Sequence, residues 1–296
     1  MVAAPLAVLL LFQRPGRRET VVALTLLAYV AWSVAGGAEG FARFESACVF
    51  LLAGGVVVAL ALRPPATSGL VAAGLLAVAA ASAVGVLLVA ATPFSWDELR
   101  WMAERHFGAQ ARLLVDVLAT TAARTNPGQD MTALIAAVET SALATTRAVA
   151  AMLPALVLLQ GVAALAAAWA LYRRVARHPD ETPLPALKEF RFSDHLIWGV
   201  VAALVALVVP GISALRAVGL NLAVFFGGLY VARGLGVLAA LAAVGGFSGP
   251  LAVLFVLFVT LFLLPLAAFA ALAVGVTDTW VDWRKLARPP STSTRI

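Results

Sequence analysis

Charged side chains along this 296-residue chain fall in clusters, separated by uncharged runs of 19 (20 to 38), 17 (46 to 62), 33 (64 to 96), 25 (148 to 172), 21 (195 to 215), 16 (217 to 232) and 44 (234 to 277) residues. An apolar helix crosses a bilayer core with about 20 residues. The pattern predicts spans at about 20 to 36, 46 to 62, 68 to 92, 148 to 172, 195 to 213, 217 to 244 and 250 to 276, with the first dozen residues as a possible eighth. Lipid admits only helices or closed barrels, and barrel strands alternate in hydrophobicity. These runs do not alternate. The predicted fold is all-α, a polytopic bundle of about seven to eight spans over residues 1–296, treated as a single transmembrane domain.

The longest polar section, 93–147, is predicted to be an extramembrane helical insertion between spans. Ser95, Trp96, Asp97 and Glu98 fit a capping box. Leu99, Met102, Phe107, Leu113, Leu114, Val117 and Leu118 then recur at helical spacing, an amphipathic stripe that would lie on the membrane or, more simply, pack on the protein's own helices. Asn126-Pro127-Gly128 ends that helix. From Asp130, the residues Met131, Leu134, Ile135 and Val138 restart the period, which runs without a breaker into the span at 148. His178 to Pro185 reads as an irregular loop; Ser193 is placed to cap the next helix, with Asp194 at its positive end and Phe192 stapling against Ile197.

Lys and Arg in short loops set orientation. Arg14, Arg17 and Arg18, then Arg63, then Arg173, Arg174 and Arg177 fall on one side, which makes that side cytoplasmic. With seven spans, Arg284, Lys285 and Arg288 fall outside, against the rule. A further crossing would remove the conflict if Arg233 marked a turn and Gly245 to Pro250 another. The rising segment would have about 13 residues, or about 20 Å, too short for a core of about 30 Å. A single long helix through Arg233 is therefore expected.

Composition agrees with the pattern: 62% of residues are hydrophobic and 12% charged, against roughly 45–50% and 25% in soluble domains. The net charge of +6 sits in loops beside apolar runs, where it favours anionic headgroups over nucleic acid. The single cysteine, Cys48, excludes an intrachain disulfide. The start, apolar and followed by arginines, reverses a signal peptide's charge order; it reads as a short span, a half-span or the remnant of a longer helix.

Catalytic patterns are missing. His106, His178 and His195 lie in three different segments without metal-helix spacing, and there is no phosphate-cradling glycine loop, no Gly-x-Ser-x-Gly elbow and no carboxylate pair within a span. The chain is expected to be neither an enzyme nor a holder of metal or cofactor. Polar residues at membrane depth are costly and tend to face a cavity or another helix. Gln160 is central in its run; Asn221 and Thr260 are weaker versions of it. The candidate ligand-binding residues are Gln160, Asn221 and Arg233. Arg233 is the one charge between 217 and 277, read either as a snorkelling anchor near the cytoplasmic surface or as a buried site that would need an anionic partner or an anionic ligand. Gly228, Ala232, Gly236 and Ala240 form a small-residue ridge for close helix packing. Pro154, Pro210 and Pro265 lie in or at the ends of spans, where proline kinks are tolerated.

The stretch Gly275 to Lys285 combines an aromatic and basic interfacial anchor with two aspartates. Here the chain resembles the YybS-like family of uncharacterised bacterial multi-pass membrane proteins, whose last span ends in a Gly-x-x-Asp-x-Trp-x-Asp-aromatic-Arg pattern matched by Gly275, Asp278, Trp280, Asp282, Trp283 and Arg284. Arg233-Gly234-Leu235-Gly236-Val237 is similar to the family's Gln-Gly-Leu-Ala-Val, with arginine in place of glutamine. Pro5 to Arg18 is similar to a segment that the family precedes with another helix, which hints at truncation. The resemblance implies no established activity; in span pattern the family is similar to substrate-binding components of vitamin transporters and to cell-shape membrane proteins, an analogy only. The expectation is an inner-membrane protein that sits in the lipid bilayer and binds or helps move a small molecule through a cavity. The competing expectation is a scaffold or partner subunit that engages another membrane protein.

Overall fold

The structure, a computed structural model, describes residues 2–12, 16–35, 41, 44, 48–49, 53–55, 96–125, 132–176, 191–210, 213–244 and 263–286. The runs at 46–62 and 68–92 fall almost wholly outside these residues, as do Ser95, the 126–131 turn, the 178–185 loop with His178, the Gly245 to Pro250 punctuation and Thr260. Every element among the described residues is helical. Among the described residues, three helical stretches are long and apolar enough to cross a membrane: Thr132–Ala151, Leu153–Val175 and Leu215–Ala242. The chain divides into two compact units, Met1–Pro183 and Leu184–Ile296.

In the first unit, α1 (Ala3–Phe12) packs on α2 (Arg17–Ala35) and on α5 (Leu153–Val175). Its 10 residues extend about 15 Å, half a bilayer core, and Ala4, Leu6, Ala7, Leu9 and Leu10 are all buried. The polar section forms an antiparallel pair, α3 (Trp96–Thr125) and α4 (Thr132–Ala151). Met152 alone separates α4 from α5, and its N–H still donates to Ala148 O, so the rod continues past Pro154 as its unbroken period predicts.

The amphipathic stripe of α3 divides. Leu99, Met102 and Phe107 join Phe41, Phe44, Ala103, Ala150, Leu153 and Val157 in one cluster. Leu113, Leu114, Val117 and Leu118 are instead exposed, while the buried positions of α3 are Leu99, Ala103, Gly108 and Val115. Gly108 lies beside the Thr146 methyl of α4 in ordinary van der Waals contact, 3.9 Å from where a Cβ would stand. The largest apolar side chains of the second half therefore lie off the seam.

In the second unit, a 3-10 turn at Asp194–Leu196 leads into α6 (Ile197–Val208), followed by α7 (Ser213–Val244), α8 (Leu264–Thr277) and the short α9 (Trp283–Leu286). No break or turn occurs at Arg233; α7 runs through it as one helix of 32 residues, about 48 Å. α6 lies antiparallel on the first half of α7: Gly199 faces the Phe226 ring, and a Cβ on Gly219 would come within 2.9 Å of Ala206 Cβ. α8 lies antiparallel on the second half. There Gly234 meets the Ala271 carbonyl and Gly275 the Tyr230 carbonyl, backbone against backbone. The close crossing thus uses Gly234 with Gly275, and Gly234 lies two residues from both Ala232 and Gly236, on another face of the helix from the predicted ridge.

Candidate functional site

The start of the α6 segment and the end of α8 meet α7, about two-thirds of the way along it, at a single side chain. Arg233 is fully buried, which overturns its reading as a snorkelling anchor. Its Nε donates to Asp278 Oδ2 at 2.9 Å, its Nη2 to the Asp278 carbonyl at 3.0 Å, and its Nη1 to Asp194 Oδ1 at 2.8 Å. The required anionic partners come from helix ends: Asp194 opens the turn before α6, and Asp278 directly follows α8. A guanidinium offers five donors in a planar fork, so it can hold two carboxylates and cap a helix carbonyl together, which an ammonium does less well.

Asp194 is spent on this contact, and Ser193 makes no side-chain cap. Phe192 lies under the guanidinium, 5.3 Å from ring centroid to Arg233 Cζ, and its ring meets Tyr230 edge-on at 5.0 Å. The two carboxylates differ in environment: the Asp194 side chain is 56% exposed and that of Asp278 is at 0%. The site is therefore open on the Asp194 side and closed on the Asp278 side. Tyr230 Oη, Asp278 Oδ1 and Thr279 Oγ1 are buried without a hydrogen-bond partner.

A second layer of charge follows. Asp282 pairs with Arg191 at 3.1 Å and Lys285 at 3.3 Å. Partial burial pushes the Asp282 carboxyl up, but the Lys285 hydrogen bond and the Arg191 charge outweigh it and hold the group below its ordinary range. Burial pulls the Arg284 guanidinium below its ordinary value; Arg191 and Arg233 add to this, and Asp278 and Asp282 oppose it. Trp283 Nε1 donates to Thr277 Oγ1 at 3.2 Å, while Trp280 is exposed. The terminal motif therefore comprises a crossing glycine (Gly275), an arginine partner (Asp278), an ion-pair hub (Asp282), a partly buried cation (Arg284) and two tryptophans at the rim.

The sequence profile of the family described as "Predicted membrane protein (DUF2232)" matches residues 1–279. The chain belongs to that family. No curated protein and no solved structure matches it. The YybS-like resemblance, carried by the terminal motif, agrees with this membership of DUF2232, a membrane protein family of unknown function.

The other candidate residues of this DUF2232 chain lie elsewhere. Asn221 is 12 residues before Arg233 on α7, about 18 Å along the axis, and its Nδ2 donates to Ala217 O in its own helix. Gln160 is exposed on α5, in the first unit. His106 bonds Gln110 and stacks beside Phe41, and His195 is exposed. Among the described residues no group of three or more His, Cys, Asp or Glu could hold a metal ion. The sequence singles out Arg233 and Asp278 separately and gives Asp194 only a place at the positive end of a helix. The available signal was charge arithmetic: a buried arginine requires a carboxylate, and the two nearest the ends of flanking apolar helices are these.

Proposed function

We propose that this protein is a multi-pass protein of the bacterial inner membrane, of about seven to eight spans, that binds or helps move a small polar solute at the Arg233 centre and has no catalytic chemistry of its own. One observation carries the reading: a fully buried guanidinium about two-thirds of the way along α7 holds carboxylates from the ends of two shorter apolar helices. The apolar helix Asp194–Val208 spans 15 residues and α8 14, about 21–22 Å each, so either is shorter than a core of about 30 Å. Short helices that end against a continuous one, with ionisable groups at their ends, are a device by which membrane transporters build solute sites. Asp278 Oδ1, Tyr230 Oη and Thr279 Oγ1 supply buried polar atoms for a solute.

The test is identification of small molecules released on denaturing the purified protein, compared with the Arg233→Met/Asp278→Leu double variant. A solute present with the wild type and lost from the folded double variant supports the reading; identical contents overturn it. The scaffold alternative is favoured by the exposed ridge Leu113, Leu114, Val117 and Leu118 on α3. Changing those residues to Ser would then release a co-purifying membrane protein while leaving the solute in place.

A further inference from the structure

A separate polar feature occurs in the first unit, near the end of α5. Trp169 and Arg173 are four residues apart, so their side chains occupy one face of the helix. Trp169 is 2% exposed, and α5 is the helix on which α1 packs. Trp169 Nε1 and Arg173 Nε are both buried, and neither has a hydrogen-bond partner. Both atoms are donors only: an indole N–H has no acceptor lone pair, and a guanidinium stays protonated. Buried donors are nearly always satisfied, so two orphans on one helix face call for a shared acceptor.

The acceptor must be anionic, because one donor carries a full charge, and it must offer at least two oxygens to reach donors about 6 Å apart along the axis. Arg174, next in sequence, is exposed and adds positive charge at the same helix end. Tyr172, also buried, packs its ring 5.3 Å from that of Trp169. We propose that Trp169 and Arg173 form a binding site for a phosphate-bearing anion. Basic pockets between helices at the cytoplasmic surface hold anionic headgroups on the same terms, so the phosphate is either that of a lipid or free in solution.

The experiment uses the purified full-length chain. Native mass spectrometry with equal phosphatidylglycerol and phosphatidylcholine reads the lipid arm, and thermal unfolding with added inorganic phosphate reads the free-anion arm. Expected is a preference for phosphatidylglycerol, or a phosphate-dependent rise in midpoint, that falls about tenfold in Trp169→Phe and in Arg173→Gln, as when a charge-assisted hydrogen bond is lost. Arg173→Lys should recover part of it, and Arg174→Gln should change it less than about twofold. A lipid response alone assigns the headgroup; a phosphate response alone assigns the free anion. The proposal is overturned if the wild type responds to neither, if Trp169→Phe responds as the wild type does, or if Arg174→Gln loses as much as Arg173→Gln. Should Trp169→Phe not fold, the contrast between Arg173→Gln and Arg174→Gln decides.

Discussion

Arg233 Nε and Asp278 Oδ2 are 2.9 Å apart, and both side chains are wholly shielded from solvent. Removing one member of such a pair strands the other, at a cost of about 3–5 kcal/mol, whereas replacing the whole pair with apolar groups of similar volume is far less disruptive. Asp278→Ala should therefore lower stability by that amount. The Arg233→Met/Asp278→Leu double variant should be the more stable of the two, with Asp194 left free to face water. Unfolding of the detergent-solubilised variants checks this; a double variant as unstable as Asp278→Ala would count against a shielded pair.

Asp194 and Asp278 bind one guanidinium, so the start of the α6 segment and the end of α8 lie at one level. In a Cys48→Ala background, Ser193→Cys and Val281→Cys should react with an impermeant thiol reagent from the same side. That outcome places the tail's Arg284 and Lys285 with the cytoplasmic charges and removes the conflict with the positive-inside rule. It also excludes the count of seven simple crossings, which puts the two cysteines on opposite sides.

Backbone meets backbone where α7 crosses α8, and neither glycine has room for a Cβ: that of Gly234 would strike the Ala271 carbonyl, and that of Gly275 the Tyr230 carbonyl. Gly275→Ala should force the helices apart and cost at least about 1–3 kcal/mol. It should also weaken the Arg233 contacts, because Asp278 moves with α8. Gly227→Ala, with nothing within 4 Å of its Cβ, should be neutral or stabilising by comparison. Thermal midpoints of the three proteins test the ordering.

Acid should loosen the second charge layer. The folded Asp282 carboxyl lies below its ordinary value of 3.8, so its contribution to stability is complete above that value and is lost as pH falls through the lower folded one. The wild type should lose stability relative to Asp282→Asn only on descending through that window, with a flat difference above it. Unfolding midpoints measured from neutral pH downwards provide the check.

Much of the helix layout was legible. The apolar run at 20 to 36 became α2, 148 to 172 became α5, and 217 to 244 became α7, because an uncharged run of that length in lipid has only one way to satisfy its backbone. The uninterrupted helix through Arg233 was also readable, since a 13-residue return is too short to cross. The seam of α3 was not. Periodicity marks every large apolar residue alike, whereas the buried positions of α3 are Leu99, Ala103, Gly108 and Val115, and which residues are covered depends on where the partner helix lies. The Arg233 centre was legible only in part: its partners are 39 and 45 residues away, beyond any local pattern.

By itself the sequence determined that this chain is a helical membrane protein, because its charges are too few and too clustered for any water-soluble core. It also marked Arg233 as the residue its apolar surroundings leave unexplained. Only the tertiary structure decided that the arginine is buried rather than snorkelling, and which carboxylates hold it. A guanidinium's surroundings are set by where other helices end, and that depends on packing through Gly234 and Gly275.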